Sequence, residues 1–316
     1  PRLLEKCKRD SVGALGLTDS NNLFAAAKFV RAAESSGVKP IIGSELDIIS
    51  QSTSIGRYKT ILLCQNKTGF ENLCGLLSDL HQSDKSSEEG GYREEQLFGS
   101  RLDGLIALSG DLGGDVGRLI TLGEHAEAES RLNDWNELLR GNYFYQISRL
   151  GAEFEENHIK VVGELVGTKI GLVATNHVRF LEQHEFEAHD ARVCIQESRL
   201  LSDPNRNHKY YANQYLKTES QMMALFSDVP SALENTIKIA TKCNVSFDQK
   251  GYLMPKFPAQ EGSSEEILIS EKAKSGLSRR LDAIKIEELG FSTEIYTKRL
   301  EDELKVITEM GFSGYF

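Results

Sequence analysis

The sequence lacks several features that would each have placed it quickly. No apolar stretch approaches the ~18–20 residues that span a bilayer, so no transmembrane helix and no membrane partner are expected. The five cysteines, Cys7, Cys64, Cys74, Cys194 and Cys243, are odd in number and widely spaced. None forms a C-x-x-C pair, which excludes zinc ribbons and thioredoxin-type redox sites. Their apolar or helical surroundings mark them as reduced core residues of a cytosolic protein. There is no G-x-S-x-G elbow, and Cys194 falls mid-helix, so a nucleophilic triad has no footing. Basic residues are in deficit: Lys+Arg 37 against Asp+Glu 47 leaves a net charge of -10. Gripping nucleic acid by counterion release needs clustered Lys and Arg, so the balance argues against bulk electrostatic binding. It leaves room for a local basic patch, or for an acidic domain of a larger nucleic-acid enzyme. Pro1–Lys8 offers neither an initiator Met nor a signal-peptide apolar region, and looks like the middle of an amphipathic helix. The chain is expected to begin inside a longer protein.

What is present is ordinary for a soluble globular chain: 316 residues, 40% hydrophobic and 27% charged. That length fits one large domain or two smaller ones. The first two hundred residues alternate strands and helices. Strands are predicted at Ala14–Leu17, Pro40–Ile49, Tyr58–Cys64, Leu105–Leu108, Tyr143–Ile147 and Ile170–Thr175. Helical faces lie between them, one opened by a capping box at Thr68-Gly69-Phe70-Glu71. Six strands alternating with helices imply βαβ units and a mainly parallel sheet; periodicity leaves open whether it closes into a barrel. Beyond Ser202 helices dominate. Thr218–Gln221 caps one, and Pro230 starts another that stops near Asn244. Tyr252–Pro258 must be extended. Two last helices come after it, one capped at Ser263–Glu266 with Ile269, Ala273, Leu277, Leu281 and Ile284 in register, the other aligning Tyr296, Leu300, Leu304 and Ile307. Gly251–Pro258 is the best boundary.

In sheets of this kind, functional groups gather beyond the carboxyl ends of strands. Leu17–Ser20, Gly43–Glu45 and Thr175–Arg179 occupy such places. Their carboxylates and histidine could form a metal site, but on spacing alone the favoured reading is that Asp19 and Asn176 cap the following helices. Two apparent motifs fail. In His184-Glu185-Phe186-Glu187-Ala188-His189 the histidines stand five apart, roughly 140° around a helix, and cannot share a metal; His189 is expected to be hydrogen-bonded on the buried side, beside Phe186 and Val193. Gly110–Gly117 matches no phosphate-loop pattern, and its two aspartates would repel phosphate. It reads as a glycine turn feeding a helix. The acidic run Ser86–Glu95 reads as a solvated loop.

One resemblance ties the pieces together. Gly13–Phe24, Gly37–Glu45, Asn66–Leu73, Gly104–Gly110, Val173–Asn176, Ala188–Asp190, Leu225–Thr236, Tyr252–Pro258 and Met310–Phe316 closely resemble, in order, the N-terminal region of the bacterial C-family replicative polymerases, the DNA polymerase III alpha subunits. The resemblance implies that residues 1–247 form a polymerase-and-histidinol-phosphatase (PHP) domain, an α/β fold built as a distorted (β/α)7 barrel, here lacking its first strand. It implies that residues 248–316 are a linker and a mostly helical beginning of the palm. The palm aspartates that hold Mg2+ for nucleotidyl transfer are expected outside these residues, so no catalytic residue is assigned here.

The resemblance also carries the metal ligands of PHP domains, position by position. The paired histidines of the first strand have no counterpart. Asp19 and Glu45 survive, but the His after Asp19 is Ser20. A further His appears as Lys59, a Cys as Asp111, a Glu as Gln146, and the late Asp-x-His as His177-Val178-Arg179. The expectation is a degenerate, metal-free site with no cofactor, in which Lys59 and Arg179 pair with Asp19, Glu45 or Asp111. The implied role is a cytoplasmic, bacterial scaffold that binds the proofreading exonuclease subunit. Other holoenzyme subunits and DNA would be engaged by other regions. The rival is an active metal-dependent phosphoesterase or intrinsic proofreading domain.

Overall fold

The computed structural model describes residues 1–82, 91–98, 102–206, 208–247, 257–258, 264–284 and 292–316. They fall into two units, Pro1–Phe247 and Asp248–Phe316. The first opens with α1 (Arg2–Arg9), β1 (Ala14–Ser20), α2 (Ala26–Ser35), β2 (Lys39–Ile49), β3 (Arg57–Cys64) and α3 (Lys67–Gln82). Then come the two-residue β4 (Tyr92–Arg93), α4 (Glu94–Phe98), β5 (Leu105–Leu108), a 3-10 turn at Asp111–Gly113, α5 (Asp115–Leu122) and α6 (His125–Leu138). The unit ends with β6 (Tyr143–Ser148), α7 (Glu155–Val166), β7 (Gly171–Thr175), α8 (Phe186–Gln196), α9 (Glu219–Leu225) and α10 (Pro230–Lys242).

The strands form one sheet in the order β1-β2-β3-β5-β6-β7, with β4 on β2, curled into a half-barrel. It is mixed rather than mainly parallel, because β3 pairs antiparallel with both β2 and β5 while the other pairs are parallel. The cause is connection length. The seven residues between Ile49 and Arg57 suffice for a hairpin but not for a crossover, which needs about 10–12. Reversing that one strand brings its amino end to the end of the sheet where β1, β2, β5, β6 and β7 present their carboxyl ends. Alternation along each strand then divides the core. Ile41, Ile61, Leu63, Leu108, Phe144 and Val173 line the concave face with Ile239 of α10 and with Cys243, which caps that helix. Leu46, Ile48, Leu62, Leu73 and Trp135 belong to the cluster under the outer helices.

Local signals were mostly where the sequence placed them. Thr218 and Gln221 form a reciprocal capping box, and Pro230 opens α10. The glycine turn is required sterically. Gly110 has φ 78°, and a Cβ there would lie 2.2 Å from the Lys59 carbonyl oxygen. Three local expectations need correction. The cap of α3 is Asn66, whose Oδ1 accepts from Gly69 N at 3.0 Å, because the helix starts earlier than a Thr68 cap would allow. Asn176 caps nothing: its Nδ2 donates to the carbonyls of Asn213 and Tyr215 at 2.8 and 2.7 Å and ties down the loop after β7. His189 is packed between the rings of Phe180 and Tyr210, and its buried Nδ1 has no hydrogen-bond partner among the described residues. Asn244 stands just past the end of α10, the place expected of its stop residue, with its N–H bonded to the Gln65 carbonyl at 2.7 Å.

The second unit is two helices, α11 (Glu265–Ala283) and α12 (Thr293–Glu309). Ser264 caps α11 by accepting from Ile267 N at 3.3 Å. Leu277, Leu281 and Leu300 of the expected stripes line a shared cleft. No residue of α11 is buried, and only Leu304 of α12 is. The solvated-loop reading of Ser86–Glu95 fails where the chain is described, because Tyr92 and Arg93 form β4, Glu94 and Glu95 open α4, and Tyr92 and Glu94 are buried. Residues 83–90 and the extended reading at Tyr252–Lys256 lie outside the described residues.

Candidate functional site at the mouth of the half-barrel

The concave face encloses a cleft of about 510 Å³. Leu15, Leu17, Ile41, Ile61, Leu63, Val173 and Ile239 make its walls apolar. Asp19, Ser20, Glu45, Gln146, His177 and Arg179 of the sequence-derived site all line it. They arrive together because five strands end here, and Lys59 joins them because β3 begins here.

Two groups form rather than one. In the first, Lys59 Nζ is ion-paired with Glu45 and lies 3.7 Å from Asp47 Oδ1. Asp47 is directly opposite Lys59 across the β2–β3 ladder, and Glu45 is the diagonal neighbour, within reach of a long side chain. Ser20 Oγ donates to Glu45 Oε1 at 2.9 Å. Burial pushes the Glu45 carboxyl up. The hydrogen bond and charge of Lys59, helped by Ser20 and the charge of Arg179, outweigh it and leave the pKa below the usual value. Asp19 lines the cleft beside this group, and among the described residues no hydrogen bond or ion pair engages its side chain.

The second group centres on Asp111, buried at 4% exposure. Ser148 Oγ donates to its Oδ2, and His177 Nε2 lies 3.4 Å from the same oxygen. Gln146 Nε2 donates to Thr175 Oγ1 at 2.8 Å and lies 3.3 Å from His177 Nε2. Its buried Oε1 has no partner among the described residues. Asp111 and His177 both hold left-handed backbone, φ 55° and 42°. That conformation costs a non-glycine residue roughly 1–2 kcal/mol, and here it turns both side chains toward each other.

Sequence reasoning missed the other side of Asp111, where His158 Nε2 stands 3.9 Å from Oδ1 and 3.0 Å from the Tyr145 hydroxyl. Burial lowers the His158 pKa against the opposing charge of Asp111, so the ring is neutral and accepts from Tyr145. The signal was present: Glu155, His158, Ile159, Val162 and Val166 form the buried face of α7 at helical spacing. Arg179 pairs with no carboxylate among the described residues; its guanidinium rests over the Tyr210 ring at 5.5 Å, and only its charge reaches Glu45.

A divalent cation does not fit this donor set. Glu45 already holds an ammonium, and Arg179 brings a second positive charge to the rim. At 4 Å each unit-charge repulsion is worth about 4 kcal/mol at an effective dielectric of 20. His177 Nε2 lies 3.4 Å from Asp111 Oδ2, and His158 Nε2 is occupied by the Tyr145 hydroxyl. Among the described residues no three His, Cys, Asp or Glu side chains are arranged to hold a metal. No helix there is long and apolar enough to cross a membrane.

Comparison with known proteins gives this geometry its context. Residues 1–149 match the PHP domain family. Over 99% of its residues the chain is 37% identical to the DNA polymerase III subunit alpha of Pasteurella multocida, and equally to that of Escherichia coli K12. It is 35% identical over 96% of its residues to the subunit of Pseudomonas aeruginosa. The chain spans about 27% of the length of the first two relatives and 26% of the third.

Proposed function

Because the chain contains a PHP domain and is homologous over nearly all its residues to the N-terminal region of DNA polymerase III alpha subunits, we propose that its half-barrel is a metal-free scaffold of a replicative DNA polymerase. The observation that carries this reading is the ion pair of Lys59 with Glu45. An ammonium occupies one of the two family carboxylates that persist, so the charge a metal would supply comes from the protein itself. The scaffold's partner in this reading is the proofreading exonuclease subunit. Residues 1–247 act as the PHP domain and 248–316 as the linker and beginning of the palm. Nucleotidyl transfer, with its Mg2+, belongs to regions of the relatives that this chain does not align with, and so do the contacts with DNA and the remaining subunits.

One arrangement favours the rival, a metal-dependent phosphoesterase. Asp111 with His177 and His158 brings two imidazoles to a buried carboxylate. A pull-down of the purified exonuclease subunit tests the scaffold, and retention is the expected result. Failure to retain it would remove the partner. Hydrolysis of a phosphomonoester that chelator abolishes and Mn2+ restores would favour the rival.

A further inference from the structure

Three polar groups at the mouth of the half-barrel have no bonding partner, and all three line one cleft. Gln146 stands two residues after Phe144 on β6, so alternation turns its side chain to the concave face. It is 1% exposed. Its neighbour fixes the amide: Thr175 Oγ1 donates to the Ile147 carbonyl at 3.4 Å and therefore accepts from Gln146 Nε2 at 2.8 Å. The other end, Oε1, is an acceptor with no partner among the described residues. Native proteins seldom keep a buried acceptor unsatisfied, and a donor brought by a ligand would satisfy it.

The other two groups carry opposite charge. Asp19 lines the cleft from β1, and Arg179 lines it from the loop after β7. Among the described residues no hydrogen bond or ion pair engages the Asp19 carboxylate, and no carboxylate pairs with Arg179, which rests over the Tyr210 ring. Their polar neighbours are occupied. Lys59 and Ser20 hold Glu45, and Ser148 and His177 hold Asp111. Below this rim the walls are aliphatic, and about 510 Å³ is the volume of a small-molecule site.

Charge decides what fits. A phosphate or other simple anion would meet Arg179 but face the carboxylates of Asp19 and Glu45. A simple cation would meet Asp19 but face Arg179 and Lys59. A molecule carrying both signs satisfies both free charges and adds no net charge to the cleft. An apolar body on it would displace water from Leu17, Ile41 and Val173.

We propose that the cleft binds a small zwitterion with an apolar body, the chemistry of a free α-amino acid with an aliphatic or aromatic side chain. Asp19 and Gln146 Oε1 take the ammonium, Arg179 takes the carboxylate, and the aliphatic walls take the side chain. The proposal goes beyond the scaffold role and rests on that reading only for a mouth free of metal.

The test is calorimetric titration of the full chain with L-leucine and L-phenylalanine, beside two half-ligands. Isoamylamine keeps the ammonium of leucine, and isocaproate keeps its carboxylate. The expected result is saturable binding of at least one amino acid at millimolar concentration or below, with both half-ligands at least about tenfold weaker, a loss of about 1.4 kcal/mol. Arg179→Gln should weaken the amino acid about tenfold without weakening isoamylamine. Asp19→Asn should weaken it similarly without weakening isocaproate. Neither side chain makes a hydrogen bond or ion pair among the described residues, so unchanged thermal melting is expected and verifies the fold. No saturable binding of either amino acid, or wild-type affinity in both folded variants, would overturn the site. Inorganic phosphate that binds and excludes the amino acid would overturn the ligand class. Stoichiometric metal in the purified chain would overturn the metal-free mouth as well, whereas a metal-free chain that binds no amino acid would overturn this proposal alone.

Discussion

Two carboxylate clusters in the first unit use the same ingredients to different ends. At the cleft mouth, Glu45 is held by Lys59, whose side chain is 42% exposed, and water reaches the pair. Beneath the outer helices, Arg131 of α6 is ion-paired with Glu94 and lies 3.2 Å from Asp115 Oδ2. Trp135 Nε1 donates to that Asp115 oxygen at 2.8 Å, and the Tyr58 hydroxyl and Ser50 Oγ donate to Glu94 at 2.9 Å each. Asp115 is 1% exposed and Glu94 8%. The buried node joins β3, α4, α5 and α6 where nothing can enter, so it is architecture. The mouth keeps its charges where a ligand could reach them, and Lys59 pairs there with Glu45. Burial thus separates a structural ion network from an ion pair that solvent reaches.

Breaking the node should produce the largest effect. Arg131→Met leaves two buried carboxylates uncompensated, and a loss of about 3–5 kcal/mol is expected in urea unfolding at neutral pH. The loss should shrink in acid as the carboxyls protonate. A loss below about 1 kcal/mol would mean that the node is wetter than its burial implies.

The next effect is pH dependence. Burial pushes the Asp115 carboxyl up to about 6 despite the bonds from Trp135 and the Val116 N–H. Its unfolded value is near 3.9, so between those pH values the folded state binds the extra proton. The contribution of this group is therefore complete below about pH 4 and is lost as pH rises through 6. It totals about 3 kcal/mol. Trp135 is the single tryptophan, so its fluorescence should titrate with Asp115. Asp115→Asn should flatten both the stability slope and the fluorescence change.

Smaller effects belong to the mouth. Tyr145→Phe removes the hydroxyl that His158 accepts from and should cost about 1 kcal/mol. Lys59→Met should cost about 1 kcal/mol or less, because an exposed partner is screened by solvent. The Glu45 pKa should then rise toward the normal range, visible by carboxyl-carbon NMR. A larger cost at Lys59 than at Arg131 would invert the comparison.

Much of the architecture was legible in the sequence, because apolar periodicity and turn residues mark elements locally. The sense of β3 was misjudged by alternation alone, although the seven-residue link before Arg57 carries the information. The two-residue β4 is too short for any periodic signal. The site was legible only through the resemblance, since Asp19, Glu45, Lys59, Asp111, Gln146, His177 and Arg179 are scattered over 161 positions and converge only when the sheet curls. His158 escaped because a histidine on an apolar helix face resembles any core residue.

The central claim is that the mouth carries its own cation in place of a metal. Elemental analysis of the purified protein after equilibration with Zn2+, Mn2+ and Fe2+ tests it most directly. The account predicts far less than one bound metal ion per chain, with no change in melting temperature on adding chelator. One equivalent retained through gel filtration, and lost together with thermal stability in Asp111→Asn, would contradict it.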